Sequence, residues 1–577
     1  MSDKTRVVII GAVALGPKAA CRIKRLRPDF EVILVDQQEY ISYGGCGIPY
    51  YISGDLSDIK ELMTTSFHML RTPEFFENAK GVRVRTRTRA LAVDRQAKVV
   101  RLRDLVSGRE EDLPYNKLVL ATGSRPRRLA LPGIELPGVT PVANLDHAVF
   151  IREKISRGQV ERAVIIGAGA IGLEMAEAFT DLWGIETSLV EICPQVLPGV
   201  LDPGLAQMVV QHLQEKGVNL YLSEKVQEIR EGQEEGALKV ITSARELPAD
   251  LVITAVGVEP NADLAREAGL RLGPLGGIAV NEYLQTSDPD IYAGGDCIEN
   301  HHLLSGKPVY FPSGSLANRQ GRVIGTNVAG GRATFPGIVG SFALKVFDLA
   351  LAGAGLSLAA ARQEGFDAVQ ALVVQSDRAH FYHTQDLLYL TLVCDRRTRR
   401  LLGVQGLASN GDALVGRIDS IAALLQHGGT VVDLSNLEVA YAPPFAAAMD
   451  IVNALANTAE NILDGYNQTA EVEDFRRDFL GGAADVLCLD VRAPANARPF
   501  LERFGPRWLN IPQETLNDRL EEVPRDKDLL VVCNSGVRSY EALRQLQAAG
   551  ITRAYNLQGG VAALKKSGAV SLDEPEE

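Results

Sequence analysis

Apolar residues recur along this chain in two registers. Short continuous runs ending in glycine alternate with stretches that are apolar at every third or fourth position, the pattern of a parallel α/β fold. Arg6–Ile10 is such a run, 11–16 is a glycine turn, 17–26 fits a helix, and Glu31–Val35 is a second run ending in Asp36. A later run, Lys117–Leu120, leads into Ala121-Thr122-Gly123. The same unit returns at 163–191: a strand over 163–166, the turn 167–172, an amphipathic helix to about Leu182, and a strand ending at Glu191. The block 290–296, Asp-Ile-Tyr-Ala-Gly-Gly-Asp, precedes a helix predicted over 315–328. Residues 336–462 alternate strand-like runs (370–374, 387–393) with helical ones (413–425, 446–463). Residues 471–577 read as a separate small α/β domain with strands at Val486–Asp490 and 529–533. The polar stretch 465–469 is the expected linker, and the acidic tail 573–577 has the composition of a disordered end.

The 577 residues suggest three to five domains. With 46% hydrophobic and 23% charged residues the composition is that of a soluble globular protein. A net charge of −12 argues against general binding to nucleic acid or anionic membranes. There is no run of about 18 apolar residues to span a membrane, and the N-terminus enters a strand directly, without a signal peptide. The 7 cysteines are scattered and odd in number, and no Cys/His cluster has zinc spacing, so no disulfide framework or metal site is expected. These features point to a reducing cytoplasm.

Gly167, Gly169 and Gly172 form a complete GxGxxG after a strand and before a helix. The first glycine makes the tight turn, the second admits a pyrophosphate close to the backbone, and the third packs helix on strand. Glu191 lies where it can accept from a ribose 2′-hydroxyl, and a carboxylate there repels a 2′-phosphate, which favours NADH over NADPH. The first turn keeps Gly11 and Gly16 but has Val13 in the middle. Two such units suggest two nucleotides.

With Thr122-Gly123 and Gly295-Asp296 added, the chain resembles the FAD-dependent pyridine nucleotide-disulfide oxidoreductases over residues 1 to about 460. The resemblance implies two Rossmann-like domains and an α+β dimerisation domain: FAD binding in 1–150 and 266–335, NAD(P)H binding in 151–265, and dimerisation in 336–465. It implies that the first unit and Asp36 hold the ADP half of FAD, that Asp296 holds its ribityl–pyrophosphate part, and that the helix beginning near Ala317 faces the flavin.

Cys46, in Tyr43-Gly44-Gly45-Cys46-Gly47, falls where that family keeps its redox centre. A dithiol enzyme would carry a second cysteine a few residues away; the nearest others are Cys21 and Cys193. The single cysteine resembles a subgroup of coenzyme A-disulfide reductases, persulfide and polysulfide reductases, and NADH oxidases and peroxidases. The peroxidases carry a histidine in the first glycine turn, where this chain has Ala12-Val13-Ala14-Leu15. Tyr441-Ala442-Pro443-Pro444 resembles a motif whose tyrosine reaches the cysteine of the partner in a homodimer, and Tyr382 resembles a second such tyrosine. By the same resemblance Lys18, Arg22, Arg25, Lys80 and Ser42 match positions that contact coenzyme A. Gly45 in place of asparagine and Met449 in place of lysine depart from that pattern and leave coenzyme A open against glutathione persulfide or polysulfide.

Cys533-Asn534-Ser535-Gly536-Val537-Arg538-Ser539 follows a strand and opens a helix, so Cys533 would sit among unpaired N–H groups that favour a thiolate or persulfide anion, with Arg538 adding charge. This loop, with Asp490-Val491-Arg492, Asn510-Ile511-Pro512 and Gln558-Gly559-Gly560, resembles rhodanese sulfurtransferases over 471–577. Phosphatases of that fold use a loop one residue longer. The combined expectation is an NADH- and FAD-dependent reductase of sulfane sulfur. An NADH oxidase or peroxidase, and a sulfur-carrier or redox-sensing module, stand as alternatives.

Overall fold

In a computed structural model, residues 4–234 and 236–570 are described, so the acidic tail lies outside them. The chain forms two compact units, residues 1–192 with 224–338, and residues 193–223 with 339–577.

In the first unit the apolar runs become parallel strands because both faces of each sheet are covered. One sheet has the order Ile291–Ala293, Lys117–Leu120, Arg6–Ile10, Glu31–Val35, Arg83–Arg85. The helix Leu15–Leu26 starts two residues earlier than the glycine turn suggested, and it packs on the helix Gly314–Val328. In the second sheet Arg162–Ile166 pairs in parallel with Glu186–Glu191 and with Leu251–Thr254. The helix Ala170–Thr180 connects the first two. Each sheet therefore ends its central strand at a glycine turn, and the two turns are the repeat seen in the sequence.

The second unit holds an antiparallel sheet in the order Phe342–Val346, Leu349–Gly355, Leu401–Ala408, Leu387–Asp395, Ala368–Ser376, covered by the helices Gly411–Gln426 and Ile451–Leu463. The last helix begins five residues later than its apolar pattern predicts. Asp450 caps it through the Val452 N–H, and the buried Arg417 guanidinium grips the same Asp450 carboxylate at 2.7 Å, so 446–450 remains a turn. A parallel sheet follows, in the order Thr469–Ala470, Ala554–Leu557, Asp528–Val532, Val486–Asp490, Trp508–Asn510.

The expected linker is partly structural. Thr469 already pairs with Asn556, the Gln468 carbonyl accepts the Asn556 N–H at 2.7 Å, and Asn467 is buried. The C-terminal domain is also fastened to the antiparallel sheet. The Gln558 Oε1 accepts the Leu372 N–H at 2.7 Å, and its Nε2 donates to Glu471 at 2.6 Å. A side chain at Gly559 would meet Leu372 and Val374 at 3.0 and 3.1 Å, so only glycine lets the loop lie against that strand.

Glu471 is the unusual group in this junction. Burial pushes its carboxyl up to about 8, and the nearby Glu473 and Asp474 act in the same direction. The folded protein therefore keeps a proton that the unfolded chain loses above the usual 4.5. Stability is expected to fall as pH rises from about 4.5 to about 8, by up to ~1.4 kcal/mol per pH unit. Glu471→Gln should flatten this dependence in apparent Tm measured between pH 5 and 8.5. An unchanged slope in the variant would contradict the assignment.

Candidate active site

The two glycine turns have the same construction. Gly11 has a φ of 108°, and a side chain on it would lie 2.0 Å from the Ala121 carbonyl oxygen. One on Gly16 would lie 1.9 Å from the Gly11 oxygen. In the second turn Gly167, with a φ of 106°, would approach the Ala255 oxygen to 2.5 Å, and Gly172 the Gly167 oxygen to 2.0 Å. Nothing lies within 4 Å of a side chain on Gly169, so backbone is open to a ligand there. The acids at the strand ends brace these turns: Asp36 accepts the Ala12 N–H at 2.6 Å and the Gln38 N–H at 2.8 Å, and Glu191 accepts the Ala168 N–H at 2.8 Å. Burial raises the Asp36 pKa, and its N–H partners oppose the shift.

Thr122 and Gly123 tie two loops together. The Thr122 hydroxyl donates to the Asn261 carbonyl at 2.6 Å, and the Gly123 carbonyl accepts the Asn261 N–H at 2.9 Å. Asp296 accepts from the Ser124 hydroxyl at 3.2 Å and the Ser313 N–H at 3.1 Å; burial raises its pKa against both. Gly295, with a φ of 76°, and the buried Ala317 lie beside each other. Gln320 was not singled out in the sequence. It is fully buried, accepts the Gly295 N–H at 2.7 Å and donates to Asn300 at 2.7 Å. Its signal was a polar residue on the face that also carries Ala317, Gly321 and Ile324.

Cys46 lies in the turn Gly45–Gly47, ahead of the helix Ile48–Ser53. The Leu62 carbonyl accepts the Gly44 N–H at 2.9 Å, and a side chain on Gly47 would come within 2.3 Å of the Leu62 side chain, which favours glycine at 47. A side chain on Gly314 would lie 3.7 Å from Cys46 Sγ, so the sulfur faces the start of Gly314–Val328. No side chain caps that helix. The turn is exposed, yet crowding by protein raises the thiol pKa, and the Glu174 and Asp296 charges push it the same way. Glu174, also missed in the sequence, is itself pushed up to about 7 by burial and by Glu177. Ser42 has a φ of 50° and donates its N–H to the Ala12 carbonyl at 2.7 Å, joining the Cys46 loop to the first glycine turn. Arg152 and Trp183 hold the far end of Ile48–Ser53, donating to the Tyr51 and Ile52 carbonyls at 2.7 and 2.9 Å.

Of the expected coenzyme A contacts, Lys18, Arg25 and Lys80 gather around Cys21, where burial raises the thiol pKa and the three cations lower it. Arg22 is half-buried and donates to the Thr326 hydroxyl at 3.1 Å. In the second unit the two tyrosine loops meet, because the Ala379 N–H donates to the Pro443 carbonyl at 3.2 Å and the Tyr382 N–H to the Ala379 carbonyl at 2.8 Å. Tyr441 is 52% exposed beside the exposed Phe445 and Met449, while Tyr382 is half-buried.

Cys533 is buried at the end of Asp528–Val532. Its sulfur lies 3.1 Å from the Gly536 N–H and 3.3 Å from the Ser539 hydroxyl. Gly536 has a φ of 105°, which turns that N–H inward. The Val561 and Ala562 N–H groups fix the Cys533 and Asn534 carbonyls at 2.9 Å each. Arg538 stands on the first turn of Val537–Ala548, half-buried.

Residues 5–321 match the family described as pyridine nucleotide-disulphide oxidoreductase, 341–452 match its dimerisation domain, and 473–567 match the rhodanese-like domain. The chain is 38% identical over 453 residues to the NAD(P)H coenzyme A polysulfide/persulfide reductase of Pyrococcus horikoshii, which covers 78% of this chain and 98% of that one. The chain belongs to the pyridine nucleotide-disulphide oxidoreductases. Its fold is similar to that of a NAD-dependent persulfide reductase from A. fulgidus, with TM-score 0.91 and 39% identity over 97% of this chain and 100% of the other. It is also similar to reduced Bacillus anthracis CoADR-RHD, with TM-score 0.88 and 31% identity over 98% of each chain.

This family of oxidoreductases uses FAD and NAD(P)H. The residues here fit both: two glycine cradles, a buried carboxylate at each strand end, and an uncapped helix facing Cys46. Glu191→Ala should shift the ratio of kcat/KM values from NADH toward NADPH by about tenfold, ~1.4 kcal/mol. An unaltered ratio would remove Glu191 from nucleotide selection. Replacing Glu174 with Gln removes a charge near Cys46. The midpoint of the Cys46 alkylation profile against pH should fall by a few tenths of a unit, and a rise would contradict this placement.

Proposed function

We propose that this oxidoreductase uses NADH to reduce sulfane sulfur held by a low-molecular-weight thiol, with coenzyme A persulfide or disulfide as the first choice of substrate and polysulfide as the second. The observation that carries this reading is the lone Cys46 at the open end of Gly314–Val328 together with Cys533 in a separate N–H-lined loop. With no second cysteine beside Cys46, its sulfur partner comes from the substrate.

Gly11, Gly16, Asp36, Thr122, Gly123, Gly295, Asp296 and Ala317 are assigned to FAD, and Gly167, Gly169, Gly172 and Glu191 to NADH. FAD, when bound, supplies the two-electron path from NADH to sulfur. The Cys46 thiolate attacks a sulfur of the substrate disulfide or persulfide, and the departing thiolate takes a proton. Overall, R–S–SH, NADH and H⁺ give R–SH, H₂S and NAD⁺; a disulfide gives two thiols. The open N–H groups of Gly314–Val328 favour the anionic sulfur against the carboxylates nearby. Lys18, Arg25 and Lys80 suit phosphates, with Arg22 and Ser42 as further contacts. Space around Gly45 admits a small acceptor as well.

The dimerisation domain and the exposed Tyr441–Phe445 surface support a homodimer in which Tyr441 and Tyr382 serve the partner's sulfur. Seven free cysteines support a reducing cytoplasm. Among the described residues no helix is long and apolar enough to cross a membrane. Cys533 carries sulfur as a persulfide: its thiolate takes the outer sulfur of a donor R–S–S⁻, and R–S⁻ leaves and is protonated. Arg538 adds positive charge to that loop.

Anaerobic NADH oxidation should proceed with coenzyme A disulfide, coenzyme A persulfide or polysulfide and fall at least ~10³-fold in Cys46→Ser. Cys533→Ser should keep flavin reduction by NADH and lose persulfide loading. No turnover with any of the three sulfur compounds, or faster turnover with oxygen or peroxide, would defeat the proposal.

A further inference from the structure

The Ser539 hydroxyl stands between two acceptors and has one proton. Its oxygen is 3.3 Å from Cys533 Sγ and 2.7 Å from Asn556 Oδ1, and it is fully buried. The Asn556 amide cannot flip to relieve this competition. Its Nδ2 donates to the Gly536 carbonyl at 3.1 Å and to Asn467 Oδ1 at 3.3 Å, so its oxygen faces Ser539. Asn467 comes from the segment that enters the C-terminal domain, where the adjoining Gln468 carbonyl also holds the Asn556 N–H.

We propose that Asn556, clamped by Asn467 and Gly536, steers the Ser539 hydroxyl and so sets how readily Cys533 releases its proton for sulfur transfer. The inference rests on Cys533 being the sulfur-carrying residue. With a neutral thiol, Ser539 donates to Asn556 and accepts the Cys533 S–H. When that proton leaves to solvent, the hydroxyl turns to Sγ and joins the Gly536 N–H as a second donor. No proton passes between the side chains; one hydrogen bond is exchanged. The charge-assisted bond to sulfur is gained, and a buried Asn556 oxygen loses its donor. Asn556 is thus a positioning residue that holds the loop toward the thiol at rest, and Ser539 favours the anion once it forms.

Charged and titratable side chains on the elements packed around the loop are Arg538, Tyr540, Glu541 and Arg544 on Val537–Ala548, Asp528 on Asp528–Val532, the Asp490–Arg492 ion pair, Tyr555 on Ala554–Leu557, and Lys565 and Lys566 on Gly560–Lys566. They remain in every variant below and cancel in the comparison.

The test is the pH profile of Cys533 alkylation in the full-length, FAD-loaded protein, followed on the Cys533 peptide by mass spectrometry. Flavin reduction by NADH serves as the folding control. Asn556→Ala should move the midpoint down by about half a unit, roughly threefold more thiolate at a given pH. Ser539→Ala should move it up, and adding Asn556→Ala to Ser539→Ala should cause no further movement. The proposal is overturned if Asn556→Ala leaves the midpoint unchanged, or shifts it equally with and without Ser539. If Asn556→Ala does not fold, Asn467→Ala decides: a smaller downward shift that disappears in Ser539→Ala supports the steering, and no shift overturns it. Persulfide loading of Cys533 from polysulfide is measured in parallel. Its absence overturns the sulfur-carrying role while the midpoint shifts still decide the steering.

Discussion

Backbone N–H groups left unpaired where a parallel strand gives way to a helix are the resource on which every site in this chain draws. A helix cannot satisfy its own first N–H groups, and these attract negative charge. Glycine determines whether such a turn is tight enough to present them. At Gly11 and Gly167 a side chain would strike the carbonyl of the neighbouring strand's loop, and at Gly536 a positive φ aims the N–H at sulfur. The Cys46 sulfur meets the open end of Gly314–Val328 at another glycine. One physical device therefore recurs at all four places, the two that are proposed to take pyrophosphates and the two that are proposed to take sulfur anions.

Much of this was legible because the device leaves a local signature. Glycine spacing after an apolar run located both glycine turns, and a cysteine heading a glycine-containing loop drew attention to Cys533. What the sequence did not show depends on long-range packing. Gln320 looks like an ordinary polar helix residue until its face is seen to be buried against Gly295 and Asn300. Glu174 gains its raised pKa from burial, which no neighbouring residue in the sequence announces. The helix predicted from 446 starts after Asp450 because Arg417, more than thirty positions earlier, claims that carboxylate. Asn467 reads as linker composition, yet it pairs with Asn556 behind the sulfur loop.

Asp36 and Glu191 show how one residue can answer to fold and function together. The sequence assigns Glu191 to a ribose and Asp36 to the ADP half of FAD, and the structure uses each to hold the turn it faces through the N–H of Ala168 or Ala12. Loss of the acid would therefore loosen the glycine cradle as well as the nucleotide contact. This is why selectivity between the two nicotinamide cofactors is a more discriminating readout than overall affinity.

The two reactive sulfurs are placed in opposite electrostatic settings. Burial raises the Cys46 pKa, the Glu174 and Asp296 carboxylates push it the same way, and the backbone N–H of Cys46 itself opposes them. The donors nearest Cys533 are neutral, the Gly536 N–H and the Ser539 hydroxyl, with Arg538 on the adjoining helix turn. A thiol held back by burial and by nearby negative charge responds strongly to a cationic or electron-accepting group brought close to it, which suits a centre whose charge must change during turnover. A thiol with one donor in place, the Gly536 N–H, and a second, the Ser539 hydroxyl, that turns toward it accommodates a bound anion by exchanging a single hydrogen bond, which suits a sulfur carrier. On the proposed reading that contrast, more than the number of cysteines, separates reduction at Cys46 from storage at Cys533.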